Sequence, residues 1–358
     1  MTIGRIRLCV EALALGMLCT GCGPSSTDTG TTSGGRAGAG ATVSLQGSGA
    51  SFPDPLYQRW FKTYSAATEG VTVDYQPTGS GAGIKDFMAH LVDFAGSDAA
   101  MKDEEMAQVK GGVQLLPMTA GMVVLAYNLP GAPADLKLPR EVYTKIFLGK
   151  ITKWNDAAIV KANGGAKIPD KPITVAVRAD SSGTTFVFTQ HLSAISRAWA
   201  DGPGTGKTVN WPGKNITKAP KNAGVTGQIK QIDGAIGYIE YGYAMQTNLP
   251  MALLENKAGR YPKPSLENGA AALGNIPGMP DNLRIWVPDP DGDSSYPIVS
   301  YTWLLCYKKN SDANKARAIR ELVKYCLTEG QKSSAAMGYI PLPTNVVDVV
   351  LKATEQVQ

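Results

Sequence analysis

Residues 173–188, Ile-Thr-Val-Ala-Val-Arg-Ala-Asp-Ser-Ser-Gly-Thr-Thr-Phe-Val-Phe, constrain this chain more than any other stretch. The β-branched, apolar run at 173–177 suits a buried strand. It hands over to a polar turn carrying Arg178, Asp180, Ser182 and Gly183, and the apolar spacing of Phe186, Val187 and Leu192 predicts a helix after Thr184. A strand that feeds Ser-Gly-Thr into a helix N-terminus offers unbonded backbone N–H groups, hydroxyls and the positive end of the helix dipole to one spot. Such a spot binds an anion. Arg178 adds a forked donor that matches a tetrahedral oxyanion, and Asp180 is spaced to hold the guanidinium. These residues point to a receptor for a small oxyanion, with phosphate as the leading ligand.

Two more stretches repeat the plan. Val43–Gln46 alternates as a strand, runs into Gly47-Ser48-Gly49-Ala50-Ser51-Phe52-Pro53, and leads to a helix faced by Leu56, Trp60, Phe61 and Tyr64. Val71–Tyr75 is a second strand, Thr78–Gly83 its turn, and Ile84, Phe87, Met88 and Leu91 the next helix face. Any one of these turns reads equally well as ordinary Ser/Thr capping. Three of them, one with an arginine, converge on a single anion if their sheets pack side by side.

Val92–Asp98 adds a short strand that ends in a carboxylate. Asp98 either caps the following helix, 101–109, or faces the anion. An ionised carboxylate only accepts hydrogen bonds, so an anion facing it must carry a proton. Phosphate does so near neutral pH and sulfate does not. Lone-pair repulsion on the order of several kcal/mol would then reject sulfate.

Further strands are expected at 122–127, 234–239 and 300–305, with helices at 143–151 and 315–327 and a polar excursion at 256–284. This alternation implies an α/β fold with mostly parallel sheets, and 358 residues suffice for about two lobes. A composition that is 43% apolar and 18% charged is that of a globular chain. The net charge of +5 is spread without any Lys/Arg run, which argues against nucleic acid.

Other chemistry finds little material. Gly202–Thr208 looks like a phosphate-binding P-loop, but Asp201 stands where its first glycine belongs and no strand precedes it. His90 and His191 are the only histidines, both in helix-like contexts, and there is no G-x-S-x-G, nor any CxxC downstream of Cys22. Histidine triads, metal sites and cofactor sites are not expected. Ser182 lacks an evident base, so hydrolysis survives only as a phosphomonoesterase alternative.

At the start of the chain, Arg5 and Arg7 precede an apolar stretch at 12–18 and then Thr20-Gly21-Cys22. This is the layout of a secretory signal, too short to remain as a membrane span. It resembles a bacterial lipoprotein cleavage box, which implies a signal peptide at 1–21 and lipidation of Cys22; the alternative is a plain secretory signal cut elsewhere. Residues 22–42 are rich in Gly, Ser and Thr and read as a flexible tether. Cys306 and Cys326 remain downstream, either as a disulfide or as two buried thiols, with nothing in the sequence to choose between them.

Taken together, Gly47–Pro53, Gly79-Ser80, Val92–Asp98, Arg178–Phe186 and Gly234–Tyr241 resemble the phosphate-binding proteins of bacterial high-affinity phosphate ABC transporters. The resemblance implies a two-lobed periplasmic-binding-protein fold with a hinge and an inter-lobe ligand cleft. Lobe I would comprise 43–121 and 300–358, and lobe II 122–299. It further implies phosphate contacts from Ser51, the Phe52 backbone N–H, Ser80, Asp98, Arg178, Ser182, Gly183 and Thr184, with Asp180 holding Arg178. A non-enzymatic, monomeric receptor is implied, anchored by lipid on the extracytoplasmic face of the membrane and delivering inorganic phosphate to the permease subunits. The alternatives are a secreted phosphomonoesterase or a receptor for another oxyanion.

Overall fold

The computed structural model describes residues 42–274 and 278–358. The expected signal segment, Cys22 and nearly all of the tether lie outside the described residues. The longest strand is Val113–Asn128, and every position in it except Gln114 and Asn128 is buried. A strand so continuously apolar has to be covered on both faces.

In chain order the strands are β1 (Val43–Gly49), β2 (Val71–Gln76), β3 (Phe94–Ser97), β4 (Val113–Asn128), β5 (Lys137–Leu138), β6 (Thr174–Arg178), β7 (Ile216–Ala219), β8 (Ala235–Glu240), β9 (Leu253–Leu254) and β10 (Val299–Tyr307). The helices are α1 (Asp54–Ala67), α2 (Ser80–Met88), α3 (Asp103–Ala107), α4 (Arg140–Phe147), α5 (Ala157–Ala162), α6 (Gly183–Ile195), α7 (Arg197–Ala200), α8 (Lys221–Gln231), α9 (Tyr241–Gln246), α10 (Leu266–Gly274), α11 (Ala313–Leu327) and α12 (Thr344–Thr354). Eight strands form one sheet in the order β2-β1-β3-β10-β4-β8-β6-β7, and β5 pairs with β9 apart from it.

β4 joins the two halves of this sheet. Its residues Val113–Met122 pair antiparallel with β10, and Val123–Asn128 pair antiparallel with β8. The outer strands of each half are parallel, β2 with β1 and β1 with β3 on one side, β8 with β6 and β6 with β7 on the other. The expectation of mostly parallel sheets holds for the outer strands, and the centre is the exception, where β10 and β4 run against their neighbours. A long antiparallel strand was not legible because Pro117 interrupts its apolar run. Proline has no N–H to give the ladder. The pairing accommodates it with a register shift: Thr302 faces Thr119 and Trp303 faces Pro117, leaving Met118 as the extra residue.

Helices cover both halves for reasons visible in sequence. α1 begins after Pro53, with Asp54 in its first turn, and buries Leu56, Tyr57, Trp60, Phe61 and Tyr64. The Trp60 indole N–H donates to Gly330 O at 2.7 Å, tying α1 to the C-terminal segment. α11 is capped by Asp312, which accepts from Asn314 N at 2.8 Å, and buries Ile319, Leu322 and Val323. Residues 256–284 are more than a surface excursion, since α10 buries Ala272 and Leu273. Cys306 on β10 and Cys326 on α11 are separate free thiols, both fully buried, so of the two alternatives the unpaired one holds in this structure. Burial raises the pKa of both thiols. Among the described residues no helix is long and apolar enough to cross a membrane.

Candidate functional site

The carboxyl ends of parallel strands are where loops of an open α/β sheet form ligand sites. Here β1 delivers Ser51 and Phe52, β2 delivers Gly79 and Ser80, and β3 delivers Asp98. From the other half of the sheet, β6 delivers Arg178 to Thr184. Ser51, Phe52, Ser80, Asp98, Arg178, Ser182 and Thr184 are all buried.

Gly183 shows how closely these groups meet. A Cβ added there would lie 2.4 Å from Ser80 Oγ and 2.6 Å from Asp98 Oδ2. The N-terminus of α6, the N-terminus of α2 and the β3 carboxylate therefore share one spot, which only a glycine leaves open. Gly79 makes the second close approach. Its φ of 99° is a backbone conformation that favours glycine, and a Cβ there would lie 2.5 Å from Asp180 Oδ2. Beside it, the Gly81 N–H donates to Ser181 O at 2.9 Å, so the β2 and β6 turns interlock.

The arginine is held rigidly. Arg178 Nε donates to Asp180 Oδ1 at 2.8 Å and Nη2 donates to Oδ2 at 2.5 Å, a two-pronged pair with the Arg178 side chain 1% exposed. Nη1 donates to Thr184 Oγ1 at 3.2 Å. Burial alone would raise the Asp180 carboxyl, but the Arg178 hydrogen bonds and charge, with the Lys221 N–H, outweigh it and hold the carboxyl below its ordinary value. Lys221 adopts a φ of 63°, unusual for a residue with a side chain. That backbone turn aims its N–H at Asp180 Oδ1 at 2.9 Å.

Ser182 caps α6, its Oγ accepting from Thr185 N at 3.0 Å. The next amides, Gly183 and Thr184, stand in the first turn, where helix geometry supplies no intrahelical acceptor. Phe52 has a fully buried ring and a carbonyl that accepts from Tyr339 Oη at 2.8 Å.

Asp98 places its carboxylate against Ser80 and Gly183. It does not cap α3, whose N-cap is Lys102. Its Oδ1 accepts from Thr302 Oγ1 at 2.8 Å. Burial pushes its carboxyl up to about 7, against the pull of the Thr302 hydrogen bond and the Arg178 charge.

Two members of the site escaped the sequence reading. Asn222, the second residue of α8, is fully buried and donates from Nδ2 to Ser51 Oγ and to Thr184 Oγ1, each at 3.2 Å. The signal for α8 was present, in Pro220 followed by Val225 and Ile229 at helical spacing. Thr302 sits on β10 at the register shift, opposite Thr119, and no local pattern marks it. Both histidine rings have partners: His90 stacks on Tyr307, and His191 bonds Tyr143 Oη and Pro288 O. Among the described residues no group of three or more His, Cys, Asp or Glu side chains could hold a metal ion.

A family model described as a PBP superfamily domain matches residues 31–329. A phosphate-binding protein PstS of Xylella fastidiosa is 38% identical over 338 residues, 92% of each chain. The protein of that name from Pasteurella multocida is 39% identical, covering 86% of this chain and 88% of its own. Among solved structures, a high-affinity periplasmic phosphate-binding protein with phosphate bound superposes with a TM-score of 0.72, at 22% identity, over 86% of this chain and 93% of that one. A phosphate-binding protein from Stenotrophomonas maltophilia gives 0.70 at 20% identity, over 87% and 93%. At those identities the structural likeness speaks for the fold.

Proposed function

Since the chain belongs to the PBP superfamily, within the family of the phosphate-binding protein PstS, we propose that it is a receptor for inorganic phosphate serving an ABC importer. The observation that carries this reading is the meeting at Gly183 of a helix N-terminus, the Ser80 hydroxyl and a buried carboxylate. Donors from Ser51, Phe52 N–H, Ser80, Arg178, Ser182, Gly183 and Thr184 surround the anion. Asp98 takes the proton that phosphate still carries, and Asp180 fixes Arg178. A tetrahedral anion that is both hydrogen-bond acceptor and donor fits this set.

The lobes are taken as 43–121 with 300–358 and 122–299, a division supported by the change of partner along β4, which pairs with β10 up to Met122 and with β8 from Val123. Ligand binding closes them about the point where β4 crosses from one half-sheet to the other. The receptor role is non-catalytic, in keeping with relatives that are binding proteins, and both histidines are engaged elsewhere. Lipidation at Cys22 would hold a monomer at the extracytoplasmic face, in reach of the permease subunits.

Calorimetric titration of the purified chain, stripped of bound anion, tests the reading. One-to-one phosphate binding with no heat from equal sulfate is expected. Silence toward phosphate would sink it.

A further inference from the structure

Asn222 touches two of the proposed ligand hydroxyls at once, and they come from opposite halves of the sheet. Its backbone N–H donates to Ser51 Oγ at 3.1 Å, and its Nδ2 donates to Ser51 Oγ and to Thr184 Oγ1, each at 3.2 Å. The orientation of its amide is fixed by a backbone group. Glu240 N–H donates to Asn222 Oδ1 at 3.0 Å, so the oxygen must face β8 and the NH2 must face the hydroxyls.

A hydroxyl has two lone pairs and one proton. Ser51 Oγ receives two donors, both from Asn222. Thr184 Oγ1 also receives two, Asn222 Nδ2 and Arg178 Nη1, and a guanidinium can only donate. With both lone pairs taken on each oxygen, the only role left to either hydroxyl is to donate its own proton. We infer that Asn222 is a positioning residue that locks Ser51 and Thr184 as hydrogen-bond donors toward the bound anion. This rests on the phosphate-receptor reading above and says how its donors are made unambiguous.

The consequence is selectivity by polarity. A free hydroxyl rotates and can accept from a ligand as readily as it donates. Ser51 and Thr184, held in this way, present protons alone, as does Arg178. On this side the site accepts only groups that are pure acceptors, the unprotonated oxygens of an oxyanion. The one ligand proton is left to face Asp98.

The test is a set of binding titrations with inorganic phosphate on the full chain. Asn222→Ala should weaken phosphate binding by roughly tenfold or more. In a Ser51→Ala/Thr184→Val background the same substitution should cost almost nothing, because the hydroxyls it orients are gone. An equal cost in both backgrounds would show Asn222 to be merely structural, and the inference would fall. If Asn222→Ala does not fold, Asn222→Asp carries the test. It keeps the size and the acceptor for Glu240 N–H, but turns acceptor oxygen toward Ser51 and Thr184 and draws their protons away from the ligand. It should fold with wild-type circular dichroism and bind phosphate more weakly than wild type by roughly tenfold or more, and unchanged affinity would overturn the inference. Wild-type protein that fails to bind phosphate would instead overturn the receptor reading on which the inference stands.

Discussion

Thr302 reaches across from β10 and donates its hydroxyl proton to Asp98 Oδ1 at 2.8 Å. This bond and the Arg178 charge favour the ionised carboxylate, yet burial still leaves its pKa at about 7 against an ordinary 3.8. Between those two values the folded protein holds a proton that the unfolded chain has released. Stability therefore falls as pH rises from about 4 to about 7, by about 1.4 kcal/mol per unit, on the order of 4 kcal/mol in all. Asp98→Asn removes this dependence while keeping an acceptor for Thr302. Without ligand, the variant should match wild type below pH 4 and exceed it by that order above pH 7. Urea unfolding at pH 4 and pH 8 measures the difference, and a gap that does not widen with pH contradicts the assignment.

The same carboxylate sets a selectivity prediction. At pH 8 Asp98 is ionised and repels an anion that has no proton to give. Asp98→Asn offers a neutral amide that can donate, so sulfate should bind the variant measurably and the wild type not at all. Wild type at pH 5.5, with the carboxyl protonated, should begin to accept sulfate as well. Calorimetry with sulfate at the two pH values reads this directly. If the variant excludes sulfate as firmly as wild type does, Asp98 is not what reads the ligand's proton.

Arg178 and Asp180 make a buried pair whose two halves have different tasks. Arg178→Lys keeps the charge but loses the fork that holds Asp180 and Thr184 together. Phosphate affinity should fall by roughly a hundredfold with little change in fold, as expected for about 3 kcal/mol of lost charge-assisted hydrogen bonding. Arg178→Met should in addition lower stability by about 3 kcal/mol or more, since Asp180 is left largely buried without its partner. Titration and urea unfolding of the two variants separate the two effects.

How much of this site could be read from sequence follows from where its parts lie along the chain. Arg178, Asp180, Ser182, Gly183 and Thr184 form one local device, a β-branched run ending in a hydroxyl-rich turn, and local order is what a sequence displays. Ser51, Ser80 and Asp98 repeat a similar device, and the sheet order β2-β1-β3 sets them side by side. Asn222 and Thr302 belong to no such pattern. Asn222 meets Ser51 across 171 positions of sequence, and Thr302 meets Asp98 across 204. Both contacts depend on the central strands that join the half-sheets. Pro117 hid the length of β4, and with it the register shift that sets Thr302 beside the site.

Gly183 offers a steric test of convergence. A methyl group there would press on Ser80 Oγ and on Asp98 Oδ2 and Cβ, the last at 2.8 Å, all closer than real contacts allow. The φ of Gly183 is not in the left-handed region, so Gly183→Ala carries no backbone penalty of that kind. The damage should fall on the ligand spot. Phosphate binding should drop by roughly a hundredfold, while stability falls only by about 1–3 kcal/mol from local overpacking. Near-wild-type affinity would mean that the α2 and α6 termini do not share one ligand.

His191 supplies the last prediction, away from the ligand. Pro288 O can only accept, so His191 Nδ1 carries the proton and donates to it at 2.7 Å, while Nε2 accepts from Tyr143 Oη at 2.8 Å. The ring is thus neutral, and burial lowers its pKa from 6.5 to about 4, against the Pro288 carbonyl and the Asp289 charge. As pH falls from 6.5 to about 4 the unfolded chain takes up a proton that the folded one refuses. Stability is lost by about 1.4 kcal/mol per unit, on the order of 3 kcal/mol in total. The slope is opposite in sign to that of Asp98, so wild type alone conceals both. His191→Gln should be less stable than wild type at pH 7.5, having lost fitted hydrogen bonds between α6, α4 and the chain leading to β10. By pH 4.5 that deficit should shrink by about 2.5 kcal/mol, because only wild type pays the protonation cost. Urea unfolding of the two proteins at both pH values checks it, and a deficit independent of pH would mean the buried ring is not held neutral.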